Sequence, residues 1–275
     1  MKKQSQEHPY IPALNGGVLL TKRDKAKIKQ SFAAASTTYD GVAALQRTVG
    51  KALLDSPDIE NLTGTLLDLG CGTGFLTSEL LTHTRSIIAL DIALPMLQVT
   101  QTKLADTPNV SYLCADAERV PLAGQSINGV VSNLALQWCI NLDVVFADIK
   151  RILKPGGQLV FSIFGPQTLQ ELKAAWTEVD DYNHVNDFYN VQQLTQFLEQ
   201  AGYSKIKLET RVYLSSYSSV LALMRELKYI GAHNVIAGRN KNITTKTQMQ
   251  QMITAYKPHG ELIFATFEVI MVTAR

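Results

Sequence analysis

The chain has 275 residues, 46% of them hydrophobic, and a formal net charge of +2. That length and apolar content suffice for one large core, or one core with an inserted subdomain, without help from disulfides or metal. Three cysteines (Cys71, Cys114, Cys139) make an odd set without metal-type spacing, the small net charge makes no case for nucleic acid, and no stretch approaches the roughly 20 apolar residues of a membrane span. The expectation is a soluble, cytoplasmic, monomeric protein with no metal site.

Residues 1–23 read as an N-terminal extension to a domain spanning 24–275, which opens with amphipathic helices over about 24–56. From residue 64 onward the pattern alternates: a strand at 65–70 (TLLDLG), a helix over 75–83, a strand at 86–91 (SIIALD) and a helix near 94–105. Strands at 110–116 and 127–133, a helix near 143–153, a turn at Lys154-Pro-Gly-Gly157 and a strand at 158–164 follow. Strand, helix, strand is the unit of a parallel sheet. Beyond Phe164 come helices at 167–180 and 191–201, a strand near 204–213, a helix over 217–230, a basic polar stretch and a long β-branched strand at 262–274. The spacing thus predicts an α/β fold with a mostly parallel, seven-stranded sheet flanked by helices. Residues 165–200 and 215–260 are expected to be helical insertions covering a substrate at the carboxyl edge of the sheet.

The segment Leu-Leu-Asp68-Leu-Gly70-Cys-Gly72-Thr-Gly74-Phe sets three glycines at alternate positions between a strand and a helix. Glycine allows a tight turn and a close approach of backbone to ligand. The dinucleotide fingerprint, G-x-G-x-x-G, suits a pyrophosphate on a helix N-terminus. Here the loop reads G-x-G-x-G with an acid two residues before it, which would repel a pyrophosphate but pair with the ammonium of a methionine moiety. Asp91 ends the next strand, where a carboxylate can accept both hydrogen bonds of a ribose diol. Asp116, followed by Ala117, ends the third strand and is placed to read an adenine edge. Asn133 ends the fourth and faces the same crevice, although its residue type equally suits a turn after a strand.

LLDLGCGTG, the ALD ending at Asp91, CADAERVPL around Asp116 and RILKPGGQLVFS resemble the class I methyltransferases, over roughly residues 60–165. The resemblance implies a Rossmann-like methyltransferase fold and S-adenosylmethionine as cofactor, held by Asp68, Gly70, Gly72, Gly74, Asp91, Ile92, Met96, Asp116, Ala117 and Asn133, with Tyr39 and Gln46 closing over it.

A narrower likeness runs from residue 30 almost to the end. It is carried by Ser31-Phe-Ala-Ala-Ala35 with Tyr39 and Leu45-Gln46-Arg47, by Asn133-Leu-Ala-Leu-Gln137-Trp138-Cys139, by Ala175-Trp176 with His184-Val-Asn186-Asp-Phe188, and by Leu227-Lys228 with Ile230-Gly231-Ala232 and Gly238-Arg239. In these the chain is similar to the malonyl-acyl carrier protein O-methyltransferases of biotin synthesis. Acyl carrier protein bearing a malonyl group is then the implied partner. The chemistry suits the residues. A malonyl carboxylate is ionised at neutral pH, so displacement at a sulfonium needs no general base, and no His–Asp or Cys–His catalytic arrangement is evident. Catalysis is expected from positioning and desolvation, with no catalytic residue in the strict sense.

A cation is expected to orient the carboxylate, and arginine fits best because its fork matches a carboxylate bidentately. Arg47, Arg225 and Arg239 are the candidates, with Lys228 one turn from Arg225. Gln137 and Trp138 are expected to line the acceptor pocket, and His184 to be structural. Lys22, Arg23, Lys25, Lys27 and Lys29 against Asp24 give residues 22–30 a net +4, and residues 215–259 carry net +5. Such segments would steer an acidic carrier protein to the pocket mouth, or simply be solvated faces. Three other readings stay open: a quinone C-methylase or free-acid carboxyl methylase, a non-catalytic S-adenosylmethionine-binding protein, and a nicotinamide dehydrogenase. The C-methylase wants a base, and none is evident; the dehydrogenase is opposed by Asp68.

Overall fold

The computed structural model describes residues 24–60, 62–84, 86–232 and 244–275. Four helices come first: α1 (Lys25–Ala35), α2 (Tyr39–Val42), α3 (Ala44–Leu54) and α4 (Pro57–Glu60). Asp24 starts α1 by accepting from the amides of Ala26 and Lys27, so the one acid of the basic segment is a helix cap.

The alternating part follows as β1 (Thr65–Leu69), α5 (Phe75–Leu80), β2 (Ser86–Asp91), α6 (Leu94–Lys103), β3 (Val110–Cys114) and β4 (Ile127–Asn133). A 3-10 turn (Leu136–Trp138), α7 (Leu142–Ile152) and β5 (Leu153–Phe164) complete it. The remainder is α8 (Gln170–Thr177), α9 (Val191–Gln200), β6 (Lys207–Tyr217), α10 (Val220–Tyr229), α11 (Lys246–Ala255) and β7 (Ile263–Ala274).

All seven strands form one sheet in the order β3-β2-β1-β4-β5-β7-β6, parallel except that β7 runs antiparallel to both β5 and β6. The order reverses between β1 and β4, and it is outside the carboxyl ends of strands at such a reversal that open α/β sheets bind ligands. Side chains alternate between the two faces. Leu67, Leu69, Val130, Leu159 and Phe161 bury against α7 and α9, whereas Leu66, Ile87, Val131 and Val160 bury against α3, α4 and α5. A third apolar cluster joins α8, α10 and α11 to the start of β7 and to Phe164 at the end of β5.

Several elements differ from the sequence expectation. Lys154–Gly157 falls inside β5: Ile127 pairs with Leu153 and Gly129 with Gln158, so the expected turn is a bulge in a continuous strand. β6 starts three residues late and continues to Tyr217, following left-handed Gly202 and Lys205. The polar stretch after α10 contains α11, started by a reciprocal Thr245–Gln248 capping box. Finally, α9 lies in the main core through Leu194 and Leu198, packed beside α7.

Candidate active site

The loop from Gly70 to Gly74 leaves β1 in a left-handed path, with φ of +79°, +56° and +85° at its three glycines. A side chain at Gly70 would collide with Ala135 in the loop after β4. At Gly72 a Cβ would meet nothing within 4 Å, so this glycine serves the turn and faces open space above the strand ends.

The acids are set around that loop. Asp68 is buried; its Oδ2 accepts from the Thr77 hydroxyl at 2.6 Å, while Oδ1 is buried without a hydrogen-bond partner. Burial, opposed by the Thr77 hydrogen bond and reinforced by the Asp91 charge, pushes the Asp68 carboxyl up to about 7. A buried, unpartnered carboxylate oxygen favours a cation arriving beside it. Asp91 takes amide hydrogens from Gly72 (3.0 Å) and Ala93 (2.8 Å), fixing the loop to β2. Its carboxyl is raised by burial, against the pull of those amides and that of Ile92. Asp116 accepts from the Glu118 amide at 3.0 Å through Oδ1, and its Oδ2 pairs with Lys25 Nζ at 2.6 Å. Lys25 also reaches Glu118 at 3.1 Å.

Two adjoining compartments result. One, of about 100 Å³, is lined by Gly70, Asp91, Ile92, Met96, Asp116, Ala117 and Asn133, and is roofed by Lys25, Ile28 and Phe32 of α1. The other, about 40 Å³, is lined by Asp68, Gly70, Gly72, Thr73, Gln46, Arg47 and Asn133. Tyr39 lines both. α2 is moored over the second compartment by Asp40, which accepts from the Thr73 hydroxyl at 2.7 Å and pairs with Lys103 at 2.6 Å. Arg47 donates to the Asp40 carbonyl at 2.8 Å.

A third and larger cavity, about 490 Å³, opens beside them under α8, α10 and α11. Its walls are mostly apolar and aromatic, with Trp138, Phe164, Trp176, Phe188, Met224 and Leu227 prominent. Gln46 is shared with the second compartment and Trp138 with the first. Between them Asn133 is held rigidly: its Nδ2 donates to the Gln46 carbonyl at 2.9 Å and its Oδ1 accepts from Ser162 at 2.8 Å.

The residues expected at the acceptor divide sharply. Trp138 lines the cavity and receives the edge of Phe32, with ring centroids 5.2 Å apart. Gln137 does not line it: the 3-10 turn points that side chain into the protein, where it is 3% exposed and donates to the Leu134 carbonyl. Arg225 and Lys228 are exposed and absent from the walls, because α10 turns Leu223, Met224 and Leu227 inward and leaves these two cations on the opposite face. Arg47 sits at the Asp68 end of the crevice instead. Arg239 lies outside the described residues. Sequence reasoning missed Lys25, Glu118 and Phe32, and in the large cavity Asp180, Asn186 and Glu226. Among the described residues no helix is long and apolar enough to cross a membrane.

Comparison with known proteins fits this geometry. Residues 67–161 match a family model described as a methyltransferase domain. The chain is 38% identical over 268 residues to the malonyl-acyl-carrier-protein O-methyltransferase of Methylococcus capsulatus, covering 94% of this chain and 97% of that one. It belongs to the malonyl-acyl-carrier-protein O-methyltransferase family. The family member of Methylovorus sp. is 39% identical over 90% of this chain and 87% of its own. The biotin biosynthesis bifunctional protein of Cellvibrio japonicus is 39% identical over 91% of this chain, which spans 50% of that longer protein. Two solved structures share the fold at low identity. The YcgJ protein of Bacillus subtilis has a TM-score of 0.60 at 12% identity, covering 82% of this chain and 97% of its own. A phosphoethanolamine N-methyltransferase 2 of Haemonchus contortus, solved with S-adenosylhomocysteine, has a TM-score of 0.56 at 16% identity, covering 92% and 59%.

Proposed function

We propose that the chain transfers a methyl group from S-adenosylmethionine to the free carboxylate of a malonyl thioester on acyl carrier protein, the step that starts pimeloyl and biotin synthesis. The observation that carries this reading is the meeting of three cavities at Gln46, Asn133 and Trp138: two narrow ones floored by acids, and a roomy apolar one.

The residues present fit the cofactor. Asp68, with its unpartnered Oδ1, would take the ammonium, and Arg47 at the same end would take the carboxylate. Asp91 would accept from the ribose, and Asp116 with the Ala117 amide would read the adenine, with Ile92 and Met96 against the ring. Gly72 gives the room that a Cβ would remove. Tyr39 covers the junction. When bound, the cofactor supplies an electrophilic methyl group on a sulfonium.

Everything else falls to the protein. The aromatic walls exclude water from the acceptor carboxylate, which strips its hydration and strengthens its attraction to the sulfonium. Asn133, locked by two hydrogen bonds, keeps the opening between donor and acceptor sides fixed, so the reactants meet in line. No proton has to move. Exposed Arg225 and Lys228 on α10 stand as a docking surface for the acidic carrier, not as ligands of the malonyl group.

The test is mass spectrometry of malonyl-, acetyl- and succinyl-acyl carrier protein after incubation with the enzyme and S-adenosylmethionine. Gain of one methyl on the malonyl species alone is the expected result. Failure to methylate it, despite binding of S-adenosylhomocysteine, would remove the substrate assignment and keep the cofactor site.

A further inference from the structure

A chamber that receives a carboxylate should present a positive group, yet Asp180 and Glu226 are acids, and no lysine or arginine stands among its described walls. Glu226 accepts from the Tyr217 hydroxyl at 2.8 Å, which occupies the hydroxyl and leaves the acid in place. Of the other ionisable residues in the described walls, Tyr182 has no cationic form, which leaves His184, and that ring is held with unusual care. Its ring lies flat on the Trp176 indole, with centroids 3.7 Å apart and planes 8° from parallel. Its Nε2 is 2.8 Å from Asp180 Oδ1. A carboxylate accepts, so Nε2 donates, which fixes the ring's orientation and leaves Nδ1 as its other polar edge.

We propose that His184, clamped between the Trp176 indole and Asp180, is the group that binds the acceptor's carboxylate in this chamber. Once the acceptor's carboxylate arrives at Nδ1 with a proton on that nitrogen, the ring would stand as a cation between two carboxylates, with the indole face beneath it. Lying flat on an indole also suits the purpose, because one face is dry and the ring cannot rotate away from the substrate. Methylation turns the bound acid into a neutral ester, so the attraction holds the substrate and releases the product. Specificity for an acid over its ester then arises inside the chamber, independently of the carrier. Asn186, 7% exposed with an unpartnered Oδ1, stands in the same wall as a further polar contact for the acyl arm.

This inference rests on the reading of the chamber as the acceptor site, and the assay separates the two. The probe is the malonyl thioester of N-acetylcysteamine, which removes carrier docking from the measurement. For H184F, KM for this acid should rise about tenfold with kcat within about threefold, as expected for loss of a charge-assisted contact made equally in ground and transition states. Inhibition by the neutral methyl ester of the same thioester should be unchanged. H184Q and D180N should fall between wild type and H184F, and calorimetric binding of S-adenosylhomocysteine should be unaltered in all three, which guards against misfolding. An unchanged KM in H184F, or equal weakening of acid and ester, would overturn the assignment and leave His184 as packing for Trp176. Absence of turnover by the wild type, with S-adenosylhomocysteine bound, would remove the substrate reading and this inference together.

Discussion

The crevice at the strand ends and the chamber beside it are built on opposite principles. The crevice is made of backbone: three left-handed glycines, amides held by Asp91, and acids whose positions follow from the ends of β1, β2 and β3. The chamber is made of side chains, drawn from α8, α10, α11 and the loops between them, and its polar groups are few. A site of the first kind tolerates little change, because each residue sets the place of the next. A site of the second kind can alter its contents while the walls stay standing.

The sharpest way to break this contrast is Asp91→Ala. The Gly72 and Ala93 amides would lose their acceptor, and so, on the proposed reading, would the ribose; affinity for S-adenosylhomocysteine should fall about a hundredfold by calorimetry, since each charge-assisted bond contributes up to about 3 kcal/mol. A comparable loss from Phe188→Ala, which lines the chamber and neither crevice compartment, would mean that crevice and chamber are one unit.

Asp68→Asn should cost less, about tenfold in the same affinity, and it should carry a signature in pH. The folded carboxyl is raised to about 7, so between the ordinary carboxyl range and that value the unliganded protein holds a proton that the unfolded chain has lost. Ionising it costs stability as pH rises through this window, and a bound ammonium relieves the cost. S-Adenosylhomocysteine should therefore bind more tightly as pH rises from about 5.5 to 8. In Asp68→Asn this slope should vanish.

A smaller effect should come from the exposed face of α10. Charge reversal at Arg225 and Lys228 together should raise KM for the malonyl carrier protein roughly threefold at low salt and leave the small thioester unaffected. Equal effects on both substrates would place these side chains nearer the chemistry than their exposure allows. Least of all, Thr245→Ala removes the cap of α11 and should lower stability by about 1 kcal/mol, read by chemical denaturation, with cofactor affinity unchanged.

The same contrast explains what the sequence made legible. A strand-end acid and a left-handed glycine are local features, dictated within a few residues, so Asp68, Asp91, Asp116 and the glycine loop could be read together and a mostly parallel, seven-stranded sheet anticipated. Gln137 and Arg225 could not be placed, because which face of a short turn or helix looks inward depends on what packs against it and not on residue type alone. Gln137 is drawn in by the Leu134 carbonyl, and Arg225 is turned out by the burial of Leu223. Lys25 was read as one charge in a basic run; only the packing of α1 against α6 brings it to Asp116, 91 positions away. The Thr245-x-x-Gln248 capping signature of α11 is present in the sequence, set within a polar stretch that has no strong apolar period to point to a helix.

The mooring of α2 includes the Asp40–Lys103 pair. Asp40 and Lys103 are both substantially open to solvent, and ion pairs of that kind contribute about 1 kcal/mol or less. The cover over the Asp68 end is thus fastened in part by a contact that water can replace, whereas the glycine loop beneath it is tied down by the amides that Asp91 holds.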